Sequence, residues 1–239
     1  MPPSRPRQNG NYILAALSGK DYQRIKDDLT RERLEHKLSI WEPNEPIQKV
    51  YFPIDAVVSI LALTENDGPV EVGTIGNEGF VGLPVFLGGE TSPGRAIVQV
   101  AGWAECLEVE AFRRELEHNG DMRSILHRYT QGFLTQVSQG TACNRMHSAE
   151  QRLARWLLIV QDRIGQSEFP ITHEFLGEML GVRRATVTET AGALQESGLI
   201  SYSRGLMTIR DRKGLENTSC ECYRIVRDEF ERLLGVPVG

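Results

Sequence analysis

Apolar residues change their rhythm along this chain, and the changes divide it into blocks. From 12 to 29, Ile13, Leu14, Leu17, Tyr22, Ile25 and Leu29 recur at helical spacing and predict one N-terminal helix. Short apolar runs then follow in quick succession at 37–41, 50–52, 57–63, 70–75, 96–100 and 104–109. Pro46, Pro53, Asn66-Asp67-Gly68, Gly76, Gly82, Gly88-Gly89 and Gly102 punctuate them. Many short strands with turn signals between them predict a β-sandwich or jelly roll, a domain that binds a small ligand or only packs. At Asp121–Met146 the period returns to that of a helix, with Met122, Ile125, Leu126, Tyr129, Phe133 and Val137 three and four apart. At 1.5 Å per residue such a helix is roughly 39 Å long, and its apolar stripe needs a cover. We expect the same helix of a second copy to supply it, through Ile125, Tyr129, Phe133 and Val137, with Gly132 and Gly140 letting two backbones approach. The alternative cover is the chain's own β-domain. A further helix over 148–164 carries Leu153, Trp156, Leu157 and Val160 inward.

The stretch 172–200 is the most informative. Thr172 can cap a helix whose Phe175, Leu176, Met179 and Leu180 share a face, and Gly181 can close it in the left-handed conformation. A second helix follows, with Val187, Ala191 and Leu194 inside and Arg183, Arg184, Thr186, Thr188 and Glu189 outside, near its N-terminal end. This is the pattern of a helix-turn-helix. Arginine there can grip guanine O6 and N7, and glutamate can accept from cytosine N4. The alternative is a helical hairpin with a solvated polar face. Beyond Gly198, Ile200, Tyr202, Met207 and Ile209 alternate with polar residues around Arg204-Gly205, predicting a β-hairpin wing. Thr172, Arg204 and Arg210, with Arg212 and Lys213 beside them, are candidate phosphate contacts.

Charge first argues against a nucleic-acid partner, because the chain of 239 residues carries a net −5. Its distribution answers the objection. Residues 1–117 hold 12 Lys+Arg against 18 Asp+Glu, whereas 118–213 hold 12 against 9. The acid sits in the first half, so the overall balance is a poor test of DNA binding. No apolar run reaches membrane-spanning length, and the start MPPSRPRQNG lacks a signal-peptide core, so a cytoplasmic protein with no membrane partner is expected. The cysteines Cys106, Cys143, Cys220 and Cys222 are scattered, which fits a reducing compartment. Cys220 and Cys222, two apart, would point some 200° from each other on a helix, so they are expected to pack rather than chelate. His36, His118, His127, His147 and His173 show no ligand spacing, and no metal site is expected.

Taken together, β-roll, long helix and winged helix-turn-helix resemble the Crp/Fnr superfamily of bacterial transcription regulators over nearly the whole chain. The phrases VYFPIDAVVSIL, VEVGTIGNEGFVGLPVFLG and LGVRRATVTETAGALQESGLI are similar to the family's roll strands, ligand cassette and recognition unit, and the tail SCECYRIVRDEFERLL to the terminal helix of one branch. The resemblance implies an α+β protein with a β-roll sensor at 1–117, a long dimerisation helix at 118–147 and a winged helix-turn-helix domain with a C-terminal helix at 148–239. It implies a homodimer that binds double-stranded DNA at two half-sites one helical turn apart, roughly 34 Å, with RNA polymerase as a candidate further partner. An effector in the roll would bias the orientation of the two recognition helices.

The chain departs from the family's pattern at the effector. Cyclic-AMP-binding members carry a Gly-Glu pair and a later Arg-Ser-Ala or Arg-Thr-Ala run. Here Gly82 precedes Leu83, and Arg95 before Ala96 is displaced by one position. Gly82, Leu83, Arg95 and Ala96 therefore mark an effector pocket that is not expected to take a cyclic nucleotide, and no cofactor is expected. The iron-sulfur branch needs N-terminal cysteines, and none precedes Cys106. On the recognition helix, Arg184 and Thr186 match the cyclic-AMP-responsive members, and Ala185 and Glu189 do not, which predicts a different half-site. Glu189 either accepts from a cytosine or pairs with Arg184. A jelly-roll enzyme with an assembly-only C-terminal domain is the competing class. Nothing resembling a nucleophile beside a base, or a histidine cluster, supports it.

Overall fold

The computed structural model describes residues 10–65, 68–118 and 120–235. Asn66 and Asp67 of the expected turn, and residues 1–9 of the N-terminal stretch, lie outside them. The expected N-terminal helix is two short ones, α1 (Tyr12–Ala15) and α2 (Gly19–Ile25). Ser18 separates them because its hydroxyl accepts from the Asp21 N–H and starts the helix afresh.

The strands β1 (Thr30–Leu34), β2 (Ser39–Trp41), β3 (Lys49–Pro53), β4 (Val57–Thr64) and β5 (Gly68–Ile75) come next. A one-turn helix α3 (Leu83–Phe86) then precedes β6 (Arg95–Val100) and β7 (Gly102–Glu108). They form two antiparallel sheets, β1-β7-β3 and β2-β6-β4-β5. Of these, β1 has no apolar alternation to announce it. It is an edge strand held by its ladder to β7 and by pairs such as Lys49 to Glu32 at 2.6 Å, and charge on such an edge discourages pairing with other chains. Between the sheets Phe80 packs against Phe52 and Phe112 at ring distances of 5.4 and 5.1 Å.

Three helices leave the roll: α4 (Val109–Glu117), α5 (Asp121–Met146) and α6 (Ala149–Ile164). A capping box at Ser148 and Gln151 starts α6 directly after α5 ends, making an elbow at 147–148. The apolar stripe of α5 is covered mainly by its own chain. Ile125 and Tyr129 are 3% and 0% exposed in the roll's core, so they are not free to meet a second copy, contrary to expectation. Phe133 and Val137 are half-buried, and Leu134 is 60% exposed. Gly132 also serves the chain itself: a Cβ there would lie 2.8 Å from the ring of Phe230, whereas Gly140 faces open space.

The C-terminal block runs β8 (Glu168–Pro170), α7 (His173–Leu180), α8 (Arg184–Glu196), β9 (Ile200–Ser203), β10 (Leu206–Ile209), α9 (Arg212–Thr218) and α10 (Cys222–Leu234). Its strands form a third sheet, β8-β10-β9, and α10 returns along α5. Val57, Leu61 and Val100 of the roll share one apolar core with Leu153, Trp156, Leu157 and Leu176. Beside that core Glu78, fully buried, pairs with Arg163 at 2.7 Å. Arg163 also donates to Gln136 Oε1 at 2.8 Å, and Gln136 donates to the Thr74 carbonyl at 2.9 Å. The loop after β5, the middle of α5 and the end of α6 are thereby joined. Gly76 leaves room for the arginine, since a Cβ would stand 2.5 Å from its side chain.

Glu78→Ala should lower unfolding free energy in urea by about 3–5 kcal/mol, because it strands a buried guanidinium. The double variant Glu78→Met/Arg163→Met should recover much of that loss. Equal losses in both would show that the pair is not what holds this junction.

Candidate nucleic-acid interface

Thr172 caps α7, its Oγ1 accepting the Phe175 N–H at 3.2 Å, and Gly181 ends the helix at φ 61°. Inside α7, Gly177 admits the chain reversal: a Cβ there would be 2.9 Å from the Val182 carbonyl oxygen. Val187, Ala191 and Leu194 turn α8 inward against the shared core.

The outward side is set by what remains. Arg183, Arg184, Thr188 and Glu189 are exposed, and Thr186 is half-buried. Among the described residues, Arg183, Arg184 and Glu189 have no side-chain hydrogen bond or ion pair, so Glu189 is not tied to Arg184. Thr188 is engaged. Its hydroxyl donates to the Arg184 carbonyl at 3.1 Å and lies 3.0 Å from His173 Nδ1, which must then be the protonated nitrogen. Burial, together with nearby Arg184, holds the His173 pKa below the usual histidine range, so the ring is neutral at physiological pH.

His173 also stacks on Tyr202 at 4.2 Å with planes 20° apart. The Tyr202 hydroxyl donates to the Ile171 carbonyl, and its N–H donates to Gln195 Oε1. One histidine thus locks α7, the first turn of α8 and β9 into a unit. Nothing in the spacing of His173, Thr188 and Tyr202 signals this, because the fold alone brings them together.

In the wing, Arg204 and Gly205 have φ of 50° and 79°, the two left-handed residues of a tight hairpin turn. Arg204 and Arg210 are exposed, and Arg210 donates to Ser201 Oγ at 3.1 Å. Arg212 is not available for a phosphate. It is paired with Asp162 at 2.7 Å and hydrogen-bonded to Gln161, Glu216 and the Tyr223 hydroxyl.

In the roll, a cavity of about 230 Å³ opens beside α5, lined by Trp41, Ile60, Ile75, Gly82, Leu83, Phe133 and Leu134 among others. None of its lining residues is charged. Of the four residues named for an effector pocket, Gly82 and Leu83 line this cavity. Arg95 and Ala96 do not line it: Arg95 is held by Glu42 at 2.8 Å, and Ala96 is fully buried in β6. The cysteines also correct the sequence reading. Cys220 precedes α10 and Cys222 opens it, so helical spacing does not separate them, and Cys143, His147, Cys220 and Cys222 bring their ligand atoms within 4.8 Å of one another.

The geometry defines a winged helix-turn-helix unit docked on a β-roll with a cavity that opens beside α5. Residues 151–218 match the family model of the Crp-like helix-turn-helix domain. The Global nitrogen regulator of Nostoc is 22% identical over 187 residues, covering 74% of this chain and 84% of that protein. Its counterpart in Synechococcus elongatus is 20% identical over the same shares. Among solved structures, FixK2 from Bradyrhizobium japonicum has a TM-score of 0.67 at 18% identity, over 80% of this chain and 98% of that one. A transcriptional regulator of the crp/fnr family from Eubacterium rectale has a TM-score of 0.65 at 18% identity, over 84% and 94%. Residues 151–218 thus form a Crp-like helix-turn-helix domain, and the chain is similar along most of its length to transcription regulators of the Crp/Fnr type.

Arg184→Ala should weaken binding to a duplex selected from random sequence by about 1–3 kcal/mol and relax the preference at one base pair. Arg210→Ala should weaken all sequences alike and lower the salt slope by about one. Gel shifts over a salt series separate the two, and an Arg184→Ala protein with unchanged selectivity would remove it from base reading.

Proposed function

We propose that the protein works as a homodimer whose two α8 helices enter successive major grooves of an operator with two half-sites, and that the cavity beside α5 takes an effector that sets their orientation. The observation that carries this reading is the free state of Arg183, Arg184 and Glu189 on a helix that contacts of Thr188 with His173 and of Gln195 with Tyr202 hold in place. Ions and hydrogen-bonding groups left without partners at the N-terminal end of such a helix are available for base edges. Glu189 accepts from a cytosine amine in this reading. Thr186 and Thr188 shape the approach, and Thr172, Arg204 and Arg210 meet phosphates.

In this reading the dimer seam lies on the side of α5 that the roll leaves uncovered. Thr130, Leu134 and Val137 follow one another there at spacings of four and three, with Phe133 at the border. Thr130, Phe133 and Leu134 also line the cavity, so a ligand inside it would touch the seam. Its walls suit an apolar or weakly polar molecule. An anionic cyclic phosphate would find no cation on them. The relatives' name associates them with nitrogen regulation, and we extend to this chain only their role as global regulators of transcription.

Leu134→Glu should give a monomer by sedimentation and at least a tenfold loss of operator affinity, since a charge must then be buried at the seam. An unchanged dimer would place the interface elsewhere. Calorimetric titration with cyclic AMP and cyclic GMP should show no binding in the micromolar range. A micromolar complex would overturn the reading of the cavity walls.

A further inference from the structure

Cys143, Cys220 and Cys222 form a buried cluster of their own, apart from both apolar cores and with no aliphatic or aromatic member. Side chains that only filled space would be continuous with a core. Here three thiols, exposed 0%, 3% and 2%, meet one another and His147. The sulfurs of Cys143 and Cys220 are 3.4 Å apart, and His147 Nδ1 is 3.7 Å from the sulfur of Cys222. Four ligands around one zinc ion, with bonds of about 2.0–2.3 Å, stand roughly 3.5–3.8 Å from each other. The cluster is already close to that size. A two-iron cluster would spread the same ligands over two metals.

The second observation concerns the other nitrogen of His147. Its Nε2 lies 3.3 Å from a carboxylate oxygen of Glu221. A ligating histidine commonly has this arrangement, one nitrogen on the metal and the other N–H given to a carboxylate that fixes the tautomer. Arg155, with a buried and unpartnered Nε, lies close enough to Cys143 and Cys222 to act on their charge. It would offset the single net negative charge of three thiolates, a neutral imidazole and a divalent ion.

We propose that Cys143, His147, Cys220 and Cys222 form a tetrahedral site for one zinc ion, which clamps the end of α5 to the start of α10. Three thiol protons leave to solvent as three sulfur–zinc bonds form, and no electron changes hands. Four protein ligands close the coordination sphere, so the ion is structural rather than catalytic. The site has a mechanical consequence because His147 is the last cap of α5 and Ser148 the first of α6. A metal here fixes the elbow through which the roll and α5 address the DNA-reading half.

The test uses the full-length protein, purified with a reductant and without chelator. One zinc per chain is expected by elemental analysis. Cobalt(II) added to the metal-free protein should give the intense visible bands of tetrahedral, thiolate-bound cobalt. Cys220→Ser and Cys222→Ser should each lose the zinc, and Glu221→Gln should weaken zinc binding roughly 10- to 100-fold. Chelation should lower the melting temperature of the wild type and leave that of the Cys220→Ser protein unchanged. The proposal fails if the reduced wild-type protein binds neither zinc nor tetrahedral cobalt, or if the serine variants keep stoichiometric zinc. Iron with acid-labile sulfide, or a Cys143–Cys220 disulfide in protein kept anaerobic, would overturn it as well. Cobalt titration of the wild type decides the matter even if a variant does not fold.

Discussion

The arrangement of this molecule depends on one buried ion pair, Glu78 with Arg163, and on the Gln136 amide that completes it. Taking two charges out of water costs several kcal/mol for each, and attraction repays the cost only where geometry is good and the spare donors and acceptors are filled. The geometry is good and the spare groups are filled but for one: Glu78 also accepts the Gly76 N–H and Gln136 passes the network on to the Thr74 carbonyl, while Arg163 Nη1 is buried without a partner. Shared apolar surface would hold the roll and the reader together over a range of relative positions. The pair selects among those positions, because only one lets both ions find their partners. Removing either ion therefore releases a constraint on orientation as well as stability.

The cavity in the roll lies one helical turn from this constraint. Phe133 lines the cavity, and Gln136, three residues further along α5, is bonded to Arg163. The Phe133 ring also sits where a Cβ of Gly73 would be, 2.6 Å away, so it has little room on the strand side. In the proposed dimer, a ligand that displaced the ring would move it along α5 or toward the seam. Either motion reaches groups whose positions depend on one another, as a two-state element requires.

Periodicity made the large elements legible. The bounds of α5, the cap at Thr172, the glycine at 181 and the two-residue wing turn are all local features that the residues themselves demand. Long-range partnerships were not legible. β1 is a strand because β7 offers it a ladder, and its own residues are mostly charged. Ile125 and Tyr129 share the stripe of α5 with Phe133 and Val137, and nothing in a helical period says which part faces the roll and which stays partly uncovered. Arg212 reads as a surface cation until Asp162, fifty residues earlier, is placed beside it. The same holds for His173 and for the thiol cluster, whose members are 77 residues apart at Cys143 and Cys220.

Two kinds of attachment therefore flank the elbow at 147–148. On one side the ion pair ties α6 back to the loop after β5; on the other, the sulfur cluster ties the end of α5 to α10, which itself lies along α5 and is seated by Phe230 over Gly132. An elbow held at one point can still pivot about it, whereas one held at two points on different helices can move only by straining one of them. Small changes at the cavity would then reach α8 as a displacement of the whole reader, because His173 and Tyr202 already bind α7, α8 and the wing into one body. In the proposed dimer, presenting two helices to two grooves at a fixed separation needs such a restriction. Free pivoting at either elbow would spread the half-site spacing and cost the second contact its gain from the first.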